Sequence, residues 1–209
     1  MHLTKYAHSC VRIEHDGGVL VIDPGTFSDP VALDGADAVL ITHEHPDHVD
    51  VAAVSRQLDR RPFVIHGPPS LAGVLGDAAS ALTPVEAGAS FTAAGVPIRA
   101  YGGRHAVIHP DIPVVENLGY LVNDVVYHPG DALEVPREVE VDSLFAPIHA
   151  PWSKFSEVVD FIRAVAPRKV YALHDGLLND RGYAVLDRQY AALSRSDYQR
   201  LAPGTTLDV

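Results

Sequence analysis

Ala38-Val39-Leu40-Ile41-Thr42-His43-Glu44-His45-Pro46-Asp47-His48 is an apolar run that ends in three histidines and an aspartate within six positions. Histidine and carboxylate side chains bind borderline divalent cations such as zinc, and this density of them serves no purpose in an apolar core. The apolar run reads as a short buried strand, with the ligand-type residues in the turn beyond it. Pro46 suits the first turn of a helix, and Val51, Val54 and Leu58 recur behind it at helical spacing. His43 and His45, two apart in extended chain, point the same way. Asp47 and His48, as neighbours, leave the backbone in different directions and suit a second cation beside the first. A helix N-terminus there favours the negative charge of Asp47.

Upstream, residues 3–6, 11–14 and 19–22 read as short strands, with Asp16-Gly17-Gly18 as a hairpin signal between the last two. Asp23-Pro24-Gly25 ends the third. Ala7-His8-Ser9-Cys10 lies between the first two, and His8 stands there as a rim or a surface histidine. Downstream, residues 62–65 form a strand that ends at His66, read as structural, and residues 70–75 a short helix. Residues 91–101 read as two strands around Gly95-Val96-Pro97, leading into Gly102-Gly103-Arg104-His105. Paired glycines let the backbone turn tightly and approach a ligand. Residues 118–122 and 125–128 form a hairpin around Asn123-Asp124, followed by Pro129-Gly130-Asp131. A strand over 142–146 runs into Ile148-His149-Ala150-Pro151-Trp152. Ser153 is placed to cap a helix whose buried stripe is Phe155, Val158, Val159, Ile162 and Val165. Residues 169–173 are a strand ending at His174-Asp175-Gly176. The last helix carries Tyr183, Leu186, Tyr190 and Leu193 as a core stripe, and residues 205–209 return as an edge strand.

His43-x-His45-x-Asp47-His48 after an apolar strand resembles the signature of the metallo-β-lactamase fold superfamily of metallo-hydrolases. The resemblance implies an αββα four-layer sandwich of class α/β, with two pseudo-symmetric halves and mixed sheets, and one such domain over residues 1–209. It also implies two divalent cations. His43, His45 and His105 hold the first, Asp47, His48 and His174 the second, and Asp131 in its Gly-Asp turn bridges them. Asp47 and Asp131 are the catalytic pair, orienting a hydroxide held between the metals or shuttling a proton. His109 competes with His105, and His149 with His174; either is otherwise a loop or pocket-wall residue. Asp23 is similar to a group that orients a metal-bound histidine, and reads equally as a plain turn aspartate. The small branch that includes the lactonase acting on ascorbate 6-phosphate is the nearest in kind, although Ala132 stands where a Thr or Ser usually follows the aspartate.

The implied activity is metal-dependent hydrolysis of a small ester, lactone or phosphodiester, without a protein nucleophile. Two other readings compete: a metal-binding relative or sensor without turnover, and a mononuclear iron dioxygenase on the same fold. Zn²⁺ is the first choice of metal, with Mn²⁺, Fe²⁺ and Ni²⁺ accepted by the same donors. With 209 residues, 47% hydrophobic and 21% charged, the composition is that of a globular protein. A net charge of −11 without a basic run argues against nucleic acid and anionic membranes as partners. A small-molecule substrate remains, and it is received as an anion if Arg104 or Lys154 faces the site; a homo-oligomer is left open. The single cysteine, Cys10, reads as a small core residue and fits a reducing cytoplasm.

Overall fold

The computed structural model describes residues 1–209. Fourteen strands form two seven-stranded sheets. The first contains β1 (His2–Lys5), β2 (Val11–His15), β3 (Gly18–Ile22), β4 (Ala38–Leu40), β5 (Val64–Gly67), β6 (Leu82–Pro84) and the returning β14 (Thr205–Asp208). The second contains β7 (Ser90–Ala93), β8 (Val96–Gly102), β9 (Leu118–Val122), β10 (Val126–His128), β11 (Ser143–Pro147), β12 (Lys169–Leu173) and β13 (Asp197–Gln199). Helix α1 (Val51–Arg60) lies between β4 and β5, α2 (Phe155–Val165) between β11 and β12, and α3 (Asp180–Leu193) between β12 and β13.

The two sheets repeat one pattern. In the order β14-β1-β2-β3-β4-β5-β6, three antiparallel pairings are followed by three parallel ones. The order β7-β8-β9-β10-β11-β12-β13 does the same. Strands β3 and β10 are therefore equivalent, as are β4 and β11, and β5 and β12. The hairpins before β3 and β10 match as well. Asp16 and Gly17 in one, and Asn123 and Asp124 in the other, have positive φ, the conformation that a tight hairpin of this hand requires.

Alternation along the strands sorts the side chains into three apolar layers. Leu20, Ile22 and Leu40 face Tyr120, Val122 and Phe145 in a core between the sheets. On the outer face of the first sheet, Val21, Val39 and Ile65 pack against Ala53 and Val54 of α1. On the outer face of the second, Leu144, Val170 and Ala172 pack against Val158, Ile162 and Tyr190 of the helices. This is the four-layer αββα sandwich, with mixed sheets.

Several local expectations change. Pro46 does not open a helix: His48 and Val49 both donate to the His45 carbonyl in a tight turn, and α1 starts at Val51 with Asp50 capping Ala53. Lys154, not Ser153, occupies the α2 cap position, because the Ser153 hydroxyl is bonded back to Ala150. Residues 69–73 make a 3₁₀ turn rather than an α-helix. Of the proposed α3 stripe only Tyr190 is fully buried; Leu193 is 42% exposed. Strands β6 and β13 are additional. Both are short, largely exposed edge strands without apolar alternation.

Candidate metal centre

The loops that leave β3, β4, β8, β10 and β12 meet at one edge of the sandwich. His43, His48, His105, Asp131 and His174 are each at most 4% exposed, whereas His45 and Asp47 are half-buried. His105 follows Gly102 and Gly103, both at positive φ. Asp131 is set by Gly130 (φ +62°) and by Asn117, whose side-chain oxygen accepts the Asp131 N–H at 2.9 Å. A Cβ on Gly130 would fall 2.4 Å from that same oxygen.

Each buried histidine of the cluster has one ring nitrogen tied outside and the other turned inward. His174 Nδ1 donates to the His149 carbonyl at 2.7 Å, and His105 Nδ1 to the Ala106 carbonyl at 2.5 Å. His48 Nδ1 donates to Asp23 Oδ2 at 2.7 Å. The Thr42 hydroxyl donates to the same Asp23 oxygen at 2.7 Å and so accepts from His43 Nδ1 at 2.9 Å. These ties leave Nε2 of all four rings as lone-pair donors facing the cluster.

There they find further acceptors. Asp131 Oδ2 is 3.0 Å from His174 Nε2 and 3.4 Å from His105 Nε2, and Asp131 Oδ1 is 3.2 Å from His48 Nε2. His43 Nε2 is 3.1 Å from His45 Nδ1. Among these atoms His105 Nε2 and Asp131 Oδ1 are buried without any hydrogen-bond partner. Buried lone pairs that face one another cost free energy unless a proton or a cation lies between them. The residues therefore fit divalent cations. Three groups have ligand atoms within 4.8 Å of one another: His43, His45 and His105; His43, His48 and Asp131; and His8, Asp47, His48 and His174.

The remaining sequence-expected residues fall as follows. Asp23 is buried and also accepts the Thr42 N–H at 2.7 Å. The His109 ring is 60% exposed and accepts from the Asp111 N–H, away from the cluster. His149 contributes its carbonyl and not its ring. His8 is not a surface residue: it is 1% exposed, and its Nε2 lies 3.1 Å from Asp47 Oδ2. Trp152 carries no motif signal in the sequence, yet its indole N–H donates to Asp131 Oδ2 at 3.0 Å. Arg104 is exposed and unpaired, while Lys154 is engaged by Glu157 at 3.2 Å.

Burial alone would lower the pKa of His174, but the carboxylates of Asp131 and Asp47 overcome it and raise it to about 9. His48 is likewise raised well above the usual histidine range, with Asp131 and Asp23 outweighing burial. In the metal-free chain the His174 ion pair thus stabilises the fold fully below the ordinary pKa of 6.5, and that stabilisation is lost as the pH rises through about 9. A cation must displace these protons to bind. Metal affinity should therefore fall as the pH drops below about 9, with protons released on binding. Emission of Trp152, the single tryptophan, titrated with Co²⁺ across that range reads it directly. A pH-independent affinity would contradict it.

The comparisons with known proteins agree with this architecture. The family described as the β-lactamase superfamily domain matches residues 2–174. Protein Rv0786c of Mycobacterium tuberculosis is 41% identical over 208 residues, covering 96% of each chain. A UPF0173 metal-dependent hydrolase of Anoxybacillus flavithermus is 34% identical over 98 residues, covering 44% of this chain and 42% of its own. Among solved structures, the metallo hydrolase Igni18 of Ignicoccus hospitalis superposes with a TM-score of 0.76 at 19% identity, covering 100% of this chain and 98% of that one, a likeness of fold. The chain belongs to the metallo-β-lactamase superfamily and is a metal-dependent hydrolase of it.

Proposed function

We propose that the chain hydrolyses a small ester, lactone or phosphodiester at a centre for two divalent cations, zinc in the first instance. His43, His45 and His105 would hold one cation, Asp47, His48 and His174 the other, with Asp131 between them. The observation that carries this reading is the set of inward-facing, partner-free donor atoms on His105 and Asp131 beside the His48 and His174 nitrogens. Bound there, the cations supply the Lewis acidity that ionises water near neutral pH and polarises the bond to be cleaved.

The chain's own residues do the rest. Burial alone would raise the Asp47 carboxyl, but hydrogen bonds from His174 and His8 hold it well below the usual carboxylate range. Asp47 is therefore ionised, and it is one of the two proposed ligands, with His45, that are open to solvent. Its carboxylate accepts a hydrogen bond from the attacking water and so orients it, remaining ionised throughout. Asn117 holds the Asp131 backbone N–H and Trp152 its Oδ2, and together they orient the carboxylate toward the cluster. The unpaired guanidinium of Arg104, one residue from His105, suits an anionic substrate. The lone buried Cys10, its thiol pushed up to about 12 by burial, supports a cytoplasmic setting.

Turnover of a panel of phosphodiesters, lactones and esters by protein loaded with Zn²⁺ or Mn²⁺ is the test, against a chelator-treated control. Hydrolysis confined to the loaded protein is expected. Metal uptake without turnover on any of them would favour a sensor. Oxygen consumption with a thiol substrate and iron would favour the dioxygenase reading.

A further inference from the structure

On distance alone His8 belongs with Asp47, His48 and His174, since all four have a ligand atom within 4.8 Å of the others. The hydrogen bonds around its ring point elsewhere. The Gly176 N–H lies 3.1 Å from His8 Nδ1, and a backbone amide can only donate. Nδ1 is therefore the lone-pair nitrogen, and the proton of the neutral ring sits on Nε2. Nε2 faces Asp47 Oδ2 at 3.1 Å. A nitrogen that carries a proton has no lone pair for a cation.

The rest of the loop holds this arrangement in place. His8 has φ +59°, a conformation that side chains other than glycine adopt sparingly and that persists where the surroundings impose it. They do so here. The buried ammonium of Lys5 donates to the His8 carbonyl at 2.7 Å and also to the Tyr6 carbonyl. The ring lies between His174, at a centroid distance of 4.0 Å, and Phe27, at 5.0 Å. Glycine at 176 suits this close approach, since a Cβ there would lie 3.0 Å from His8 Nδ1, tighter than an ordinary contact.

We infer that His8 is a positioning residue that donates its Nε2–H to Asp47 and is not a metal ligand, fixing which face of that carboxylate is turned toward the second cation. The inference rests on the metal-centre reading above. It makes Asp47 the counterpart of Asp131: each carboxylate has one neutral N–H donor from outside the ligand set, His8 in one case and Trp152 in the other.

Two variants and one spectrum test it. In zinc-loaded protein labelled with ¹⁵N at histidine, Nε2 of His8 should keep a directly bonded proton, the resonance being assigned by its loss in His8→Gln. In competition with a chromophoric chelator, His8→Phe should still take up both zinc ions but bind them about 10–100-fold more weakly. His8→Gln, whose amide nitrogen reaches the place of Nε2 and donates, should recover most of that loss. An unprotonated Nε2, or one zinc fewer in both variants, would make His8 a ligand and overturn the inference. Undiminished affinity in His8→Phe would leave it without a role toward Asp47. Should His8→Phe fail to fold, the nitrogen spectrum of the unaltered protein decides alone. A wild-type chain that takes up no zinc would remove the centre itself, which is a different failure from either of these.

Discussion

Asp131→Ala is expected to reduce hydrolysis by about 10³-fold or more, to lower the metal content, and to leave the sandwich folded. Asp131 is the one carboxylate within 3.5 Å of three of the inward-facing nitrogens, those of His48, His105 and His174. It lies outside the three apolar layers, so the frame does not depend on it. Its removal leaves the Trp152 N–H without a partner, which costs about 1–3 kcal/mol and falls within what such a frame tolerates. Asp131→Asn separates the contributions, since the amide oxygen can still accept from Trp152 but the charge is gone. Metal content by atomic absorption, turnover and a thermal melt on each variant are the measurements. Full turnover by Asp131→Asn would mean that the carboxylate only holds the loop.

Asp23→Ala should be the larger blow to the fold. The two Asp23 oxygens accept three buried donors, the Thr42 N–H, the Thr42 hydroxyl and His48 Nδ1, each at 2.7 Å. Removing the acceptor strands all three, and stranding one partner of a buried charged pair alone costs about 3–5 kcal/mol. Asp23 also has φ +48°, which an aspartate or asparagine tolerates better than an alanine. We expect a loss of about 3–5 kcal/mol in denaturant unfolding of the metal-free protein, with Asp23→Asn intermediate. Metal affinity should fall as well, by about 10–100-fold, because His48 loses the partner that orients it. An Asp23→Ala protein as stable as the original would reduce this residue to a turn former.

How much of this could be read from the chain depends on whether a residue follows a strand. His43 to His48, His105, Asp131 and His174 each stand just past an apolar run, so strand periodicity alone lines them up at one sheet edge. Asp23 and Asp131 follow the equivalent strands β3 and β10, a correspondence visible only once the pairings are known. His109 and His149 lie close in sequence to His105 and to strand ends, and only the turn of the loop in three dimensions leaves the first exposed and lets the second contribute its carbonyl alone. Trp152 is 21 residues from the carboxylate it meets, in a turn with no periodicity to announce it. His8 was hidden for another reason. Its ring is buried between Phe27 and His174, and its carbonyl is held by Lys5. Lys5 is a charge that sequence patterns place at the surface but that is 1% exposed here, bonded to two carbonyls and 3.6 Å from Asp175. The edge strands β6 and β13 take their conformation from a neighbour's hydrogen bonds rather than from their own side chains.

The proposed donor atoms are divided between the two halves: His43, His45, Asp47 and His48 hang from the first sheet, and His105, Asp131 and His174 from the second. Neither half owns a complete coordination sphere. Cations seated there would rivet the sheets together along the seam, adding to the bonds that already cross it from the Leu118 N–H to the Thr42 carbonyl and from the Tyr120 hydroxyl to the Ile41 carbonyl.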